Sequence, residues 1–332
     1  MEYDDNDVGN VSPEERAQRK RNRIFLVLAL FLFLILLLAA LFWFRSGALP
    51  SSATTNSSPG FVQTPGAAPS PSPLPKGLIV SFLDVGQGDC AFLQSPSGKT
   101  MLIDGGPENA FSTIDRFLVS HGVAGLDVVI ATHLHTDHIG GLIQIVDAYP
   151  IGEFYYPPFD AENETYFSLR DALKESQAAA ASPLAGADTR IPWDDAIEVR
   201  VLAPYDTVYS DFNDTSYILR VTYGNTSVLF AGDATALGEK LAMKAQPNHY
   251  FHADVLKIGH HGSSDSTSEK FLETVQPSIA VISVGKDNGY GLPDAELLER
   301  LSKQGIKVYR TDEDGTVTLL LDGTNVTVIE YP

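Results

Sequence analysis

The chain has 332 residues, 44 % of them hydrophobic, and a formal net charge of −19. That length and apolar content allow a sizeable core in one large or two medium domains, while the single cysteine, Cys90, excludes an intrachain disulfide and a cysteine-based structural zinc site. All of the −19 lies beyond residue 50; such a surface repels polyanions and disfavours broad nonspecific nucleic-acid binding, though not the capture of one phosphate by metal ions.

Residues 1–23 are polar and end in a basic cluster, Arg16, Arg19, Lys20, Arg21 and Arg23. Residues 24–44 are an uncharged run rich in Leu and Phe. As a helix it would span roughly 31 Å, the thickness of a bilayer core. A signal peptide has a shorter apolar stretch and a small-residue cleavage site, which this run lacks. A single transmembrane helix is therefore expected, with residues 1–23 cytoplasmic and the C-terminal part exported from the cell membrane. Residues 45–76 are rich in Pro, Ser, Thr, Ala and Gly and read as a semi-extended linker.

From residue 77 to 332 the pattern is globular. Strands are expected at 78–85, 91–94 and 100–103, then a helix at 109–120, a strand at 127–132, a helix at 141–148 and an extended piece at 154–156. A helix at 166–180 reads as an insertion. Strands follow at 197–202, 217–223 and 226–230, then a helix at 237–244 and a strand at 255–258. The chain continues with a helix at 268–275, a strand at 279–284, a helix at 294–303 and tail strands near 308 and over 316–329. Strand pairs followed by strand–helix alternation, twice over, predict two sheets with helices outside.

The strongest chemical signal is Thr132-His133-Leu134-His135-Thr136-Asp137-His138, directly after a β-branched strand. Alternate residues of an extended segment point the same way, so His133 and His135 can share one ion. A turn then brings Asp137 and His138 to a second. Imidazole and carboxylate suit zinc, and also manganese or iron. Three more strand ends carry candidates: Asp104 before Gly105-Gly106, Asp233 after Ala231-Gly232, and His260-His261 after Leu256-Lys257-Ile258-Gly259. Asp233 is placed to bridge two ions, and Asp104 to orient a ligand histidine from behind. Which of His260 and His261 ligates is left open. Any one strand-end Asp-Gly is commonly just a turn; their joint occurrence with the histidine cluster gives them weight.

His133-x-His135-x-Asp137-His138 with Asp104, Asp233 and His260/His261 resembles the metallo-β-lactamase superfamily. Phe82-Leu83-Asp84-Val85-Gly86-Gln87-Gly88-Asp89, Leu102-Ile103-Asp104-Gly105-Gly106 and Leu256–Ser263 resemble, more narrowly, the soluble domain of ComEC-type competence proteins, over about residues 77–325. The resemblance implies an αββα sandwich with the metals at strand ends between the sheets. In that subgroup Asp84, Gln87 and Asp89 lie near the site, so that Asp84 or Gln87 could position a metal ligand, with plain turn chemistry at Gly86 and Gly88 as the alternative. The chain departs from the pattern in three places. ComEC-type proteins carry many membrane helices, whereas one is expected here, so the chain cannot itself be a DNA-conducting channel. The superfamily's further site-one histidine is missing, leaving Asp214 or Asn213 as an oxygen ligand, or a simple turn. An Arg and a His of the subgroup's Asn-Arg-Tyr-Gly-His-Pro stretch are replaced in Asn288-Gly289-Tyr290-Gly291-Leu292-Pro293.

The combined expectation is a membrane-anchored, metal-dependent hydrolase using two divalent ions, zinc first and manganese second. His133, His135, Asp137, His138, Asp233, His260, His261 and Asp214 are the ligand candidates, with Asp137 and Asp233 also catalytic. Lys257, Lys286 and Arg310 are candidates for steering an anionic substrate, nucleic acid included, with surface solubility as the alternative role for each. No obligate protein partner is evident. A phosphodiesterase or nuclease leads; a hydrolase of a small exported ester or lactam, and a non-catalytic surface binding module, are the alternatives.

Overall fold

The computed structural model describes residues 76–331 apart from Thr207. The expected membrane run at 24–44, the tail before it and all but the last residue of the linker lie outside the described residues. Among the described residues no helix is long and apolar enough to cross a membrane.

Two sheets form the domain. In the first, β1 (Leu78–Phe82), β2 (Ala91–Gln94), β3 (Thr100–Ile103), β4 (Leu126–Ile130), β5 (Ile151–Tyr155) and β6 (Ala179–Ala181) are joined by β13 (Val317–Leu321) and β14 (Val326–Ile329). The strand order is β14-β13-β1-β2-β3-β4-β5-β6. The second holds β7 (Ile197–Ala203), β8 (Ile218–Tyr223), β9 (Thr226–Phe230), β10 (Val255–Lys257), β11 (Ile279–Ile282) and β12 (Lys307–Arg310), in the order β12-β11-β10-β9-β8-β7. Pairing is parallel from β3 to β6 and from β9 to β12, and antiparallel elsewhere.

Side-chain alternation explains the layers. Met101 and Ile103 of β3 face the space between the sheets, where they join Val128, Ile130, Val228, Phe230 and Val255. Phe82 and Phe230 meet there with ring centroids 5.7 Å apart. Leu102, between Met101 and Ile103, points the other way, into a cluster with Ile114, Leu118, Leu142 and Ile145. These come from α1 (Phe111–Ser120) and α3 (Leu142–Ala148); α2 (Thr136–Ile139) and α4 (Glu164–Glu175) lie between them in sequence and after. Leu229, Leu256 and Ala280 do the same on the second sheet, against Ala242, Phe271, Leu272, Leu297 and Leu301 of α5 (Ala236–Ala245), α6 (Glu269–Val275) and α7 (Ala295–Lys303). A short α8 (Thr311–Asp314) follows β12. Strands covered on both faces read as near-continuous apolar runs, and helix, sheet, sheet, helix is the αββα order expected from sequence.

The helix expected over 166–180 is corrected. The Asn163 side chain caps it by accepting from Tyr166 N at 2.7 Å. It ends at Glu175, and Ala179–Ala181 turn extended to pair with Glu153–Tyr155. Three alanines carry no periodic signal, so the neighbouring strand decides their state. The tail strand over 316–329 likewise divides into the β13–β14 hairpin.

Candidate metal centre

Asp104, the 132–138 ligands, Asp233 and His260/His261 follow the ends of strands that meet on one rim of the sandwich. β3 delivers Asp104, β4 the 132–138 loop, β9 Asp233, β10 His260 and His261, and β11 Ser283. Parallel neighbours must end on the same side, which is why five segments distant in sequence meet here.

Asp233 is the hub. Its Oδ2 lies 3.2 Å from His138 Nε2, 3.6 Å from His261 Nε2 and 3.8 Å from His133 Nε2. His133 Nε2 is 3.0 Å from His135 Nδ1, and His261 Nε2 is 3.2 Å from Asp137 Oδ2. His133, His138, His261 and Asp233 are buried; Asp137, with 37 % of its side chain exposed, and His135 stand at the mouth.

The backbone is bent to achieve this. Gly232 has φ 55°, and a Cβ there would come within 2.8 Å of Ser216 Cβ. Ser216 Oγ accepts from Asp233 N at 3.0 Å, fixing the hub residue. His260 and His261 both take left-handed backbone, φ 49° and 51°, a conformation that costs of order 1–3 kcal/mol in a non-glycine residue and gathers at functional sites.

Outer partners fix the rings. Asp104 Oδ2 is 2.9 Å from His138 Nδ1, and Thr132 anchors that carboxylate through its N and Oγ1, each at 2.7 Å. His261 Nδ1 faces Ser283 O at 3.1 Å and Asp89 Oδ1 at 3.2 Å. Burial works against charge on His138, yet Asp233 and Asp104 outweigh it and hold the imidazole well above its ordinary range. His261 is pushed up to about 10 in the same way, by Asp233, Asp137 and Asp89 against its burial. Burial, helped by the charge of the neighbouring His138, carries His133 well below the usual range despite the pull of Asp233. Burial would raise Asp137, but the His261 hydrogen bond and the two imidazole charges bring it far down.

The donor set fits divalent metal. Asp89, His138, Asp233 and His261 each offer a ligand atom, all within 4.8 Å of one another. His138 Nε2, Asp233 Oδ1 and Asp89 Oδ1 are buried without a hydrogen bond of sound geometry. Such groups are costly to leave unmet. Here carboxylate charge is balanced by protonated imidazole, the role a divalent cation takes over by displacing the protons.

Other candidates are placed differently. His260 turns outward, its Nδ1 3.1 Å from Asp265 Oδ1. Asp214 Oδ1 accepts from Thr235 N, Thr235 Oγ1 and Gly238 N, holding the start of α5. Its Oδ2 and Asn213 Oδ1 are buried without hydrogen bonds, and the adjacent Phe212 ring lies 5.1 Å from His135. Asp84 takes the turn alternative. It is exposed, and its Oδ1 accepts from Gly86 N in a local turn. Gln87 Oε1 accepts from Gly285 N, tethering the loop after β11 rather than meeting a ligand. The substrate-steering expectation is also corrected at two positions. Lys257 is buried against Asp89, 2.7 Å away, and Arg310 is held by Asp312 and Glu313. Lys286 is exposed in the loop after β11. The sequence placed Asp89 near the site as part of the entry motif but assigned it no role there. The signal was present in Gly88, where φ is 148° and a Cβ would lie 2.3 Å from Asp137 O, so that the turn carrying Asp89 lies against the ligand loop.

The family model described as the metallo-beta-lactamase superfamily matches residues 83–286. The chain belongs to the metallo-β-lactamase superfamily. Within the superfamily it is similar to ComE operon protein 3 of Bacillus subtilis (strain 168), with 30 % identity over 76 % of this chain and 34 % of that protein. Recombination protein 2 of Haemophilus influenzae shares 33 % identity over 72 % of this chain and 28 % of its own length. Competence protein ComA of Neisseria gonorrhoeae shares 33 % over 72 % and 31 %. The chain thus spans about a third of the length of these curated relatives, and its similarity to them makes it ComEC-like. A solved structure, the E377D mutant of the β-hydroxylase CmlA, superposes with a TM-score of 0.50 at 17 % identity, covering 75 % of this chain and 55 % of that one; this speaks to fold alone. Superfamily membership together with the buried Asp/His cluster makes the chain a metal-dependent hydrolase of the metallo-β-lactamase type.

Proposed function

We propose that the chain is a single-pass, membrane-anchored phosphodiesterase or nuclease that works with two divalent ions, zinc or manganese, outside the cytoplasm. Residues 24–44 are the anchor, 45–76 the spacer and 77–332 the catalytic domain. The observation that carries the reading is the convergence of three imidazole Nε2 atoms on Asp233 Oδ2. The substrate class is suggested by relatives named for competence and recombination.

His133, His135 and Asp233 would hold one ion. Asp137, His138 and His261, sharing Asp233, would hold the other, and Asp214 or Asn213 is the candidate for a further oxygen. Bound divalent ions make water acidic enough to yield hydroxide near neutral pH and offset charge building on a phosphoryl or acyl group. Asp104 keeps the His138 proton on Nδ1, so that Nε2 faces the centre. Asp137, at the mouth and strongly disposed to stay ionised, accepts hydrogen bonds from incoming water and orients it. The buried walls around His133 and His138 exclude bulk solvent.

A second reading, hydrolysis of a small exported ester or lactam, is favoured by the net charge of −19 and by the pairing of Lys257 and Arg310, which takes both away from substrate. Side-by-side assay of the metal-loaded full chain on bis-p-nitrophenyl phosphate, single-stranded DNA and nitrocefin separates the two. Turnover of phosphodiester substrates is expected; turnover of nitrocefin alone overturns the leading reading. Protease added to intact protoplasts or spheroplasts should digest the C-terminal domain and spare a tag at residue 1. Protection until lysis would rule out the extracytoplasmic site.

A further inference from the structure

Behind His261, on the side away from Asp137, lies a second charged pair. Lys257 ends β10 and follows the strand's alternation: Val255 faces the inter-sheet core and Leu256 the helices, so Lys257 points inward again. It is 2 % exposed. Its Nζ is 2.7 Å from Asp89 Oδ2 and donates to Ile258 O at 2.8 Å. Asp89, 5 % exposed, turns its other oxygen to His261 Nδ1 at 3.2 Å. The far nitrogen of that ring faces Asp137 and Asp233. An unbroken line therefore runs from the interior ammonium, through a carboxylate and an imidazole, to the carboxylates of the metal centre.

A buried ion pair of this kind adds little net stability, because desolvation cancels most of its attraction, and apolar residues of equal volume often do as well. Its geometry points to a different use. We propose that Asp89 and Lys257 are positioning residues for His261. The Asp89 charge, 3.2 Å from Nδ1, favours the ring proton on that nitrogen, where Ser283 O accepts it, and leaves the Nε2 lone pair aimed at the centre. Lys257 occupies the second carboxylate oxygen and fixes the first on His261. Asp89 lies close enough to the cluster to be read as a ligand itself. Against that, Oδ2 is taken by Lys257 and Oδ1 faces the nitrogen of His261 remote from Asp137.

The inference rests on the metal-centre reading, and its test is metal uptake by the full chain, followed through cobalt(II) absorption and chelator competition. Asp89→Asn and Lys257→Met are each expected to weaken one cobalt-binding event about 10–100-fold and leave the other unchanged, the usual effect of losing an outer partner of a metal-bound histidine. The double variant should be no weaker than the poorer single. Melting of the metal-free protein, measured in parallel, reports any purely structural loss. Unchanged or tighter cobalt binding by Lys257→Met overturns the inference, because removing a cation from beside a ligand carboxylate strengthens metal binding. If Lys257→Met does not fold, Asp89→Asn decides alone: unchanged affinity overturns the inference. A wild-type chain that takes up no metal sinks the metal-centre reading instead.

Discussion

Asp104 Oδ2 lies 2.9 Å from His138 Nδ1, joining the end of β3 to the loop after β4 across 34 residues of sequence. Both groups are buried. Burial raises Asp104, and the charge and hydrogen bond of His138 pull it back only in part, so this carboxylate depends on its partners. Asp104→Ala should weaken metal binding about 10–100-fold, measured by chelator competition. It should also destabilise the fold by roughly 3–5 kcal/mol, because the charged form of His138 loses a buried partner. Wild-type affinity in a folded Asp104→Ala protein would remove it from the centre.

His135 and Asp137 are partly exposed members of the cluster and lie outside the apolar core. His135→Ala and Asp137→Ala should therefore abolish hydrolysis, by more than about a hundredfold, past the loss expected of an outer partner, while circular dichroism stays native. Full turnover in either variant would refute their assigned roles.

Glu239 supplies a pH dependence away from the metal centre. It is fully buried on α5 and accepts from Thr267 N and from Ser268 N at the start of α6. Burial lifts its carboxyl from 4.5 to about 7, more than those hydrogen bonds and Arg300 pull it down. The unfolded chain releases this proton near 4.5 and the folded chain only near 7. Between those values the folded state binds the extra proton, so its stability falls as pH rises through the window and levels off above it. The drop is on the order of 3 kcal/mol. Denaturant melts of metal-free wild type and Glu239→Gln from pH 4.5 to 8 should show the wild type losing ground to the variant as pH rises. A pH-independent difference would contradict this.

Residues 77–332 produced without the preceding segment should be soluble and bind metal. Among the described residues the three apolar clusters fall within residues 78–326, a core large enough to fold as its own domain. About two equivalents of zinc or manganese by elemental analysis are expected from the ligand count. An insoluble or metal-free fragment, with the full chain loading normally, would show that the domain boundary is misplaced.

The sequence by itself carried the parts that depend on local spacing. The short apolar runs at 100–103 and 255–258, bounded by turn residues, read as strands. His133, His135, Asp137 and His138 declared themselves by their density after β4, and Asp104 and Asp233 by the small residues beside them at strand ends. Other features were set by contacts across the molecule, which no local pattern encodes. His260 and His261 are adjacent and chemically identical; only the left-handed turn sends one to Asp265 and the other to Asp137 and Asp233. Ala179–Ala181 became a strand because β5 offers an edge to pair with. Lys257 and Arg310 read from sequence as surface cations, for solubility or for steering a substrate. Their neutralisation by Asp89 and by Asp312 and Glu313 is a matter of which carboxylate the fold brings within reach, because the Coulomb term that fixes a charged group's role falls off with distance in space, not with separation along the chain.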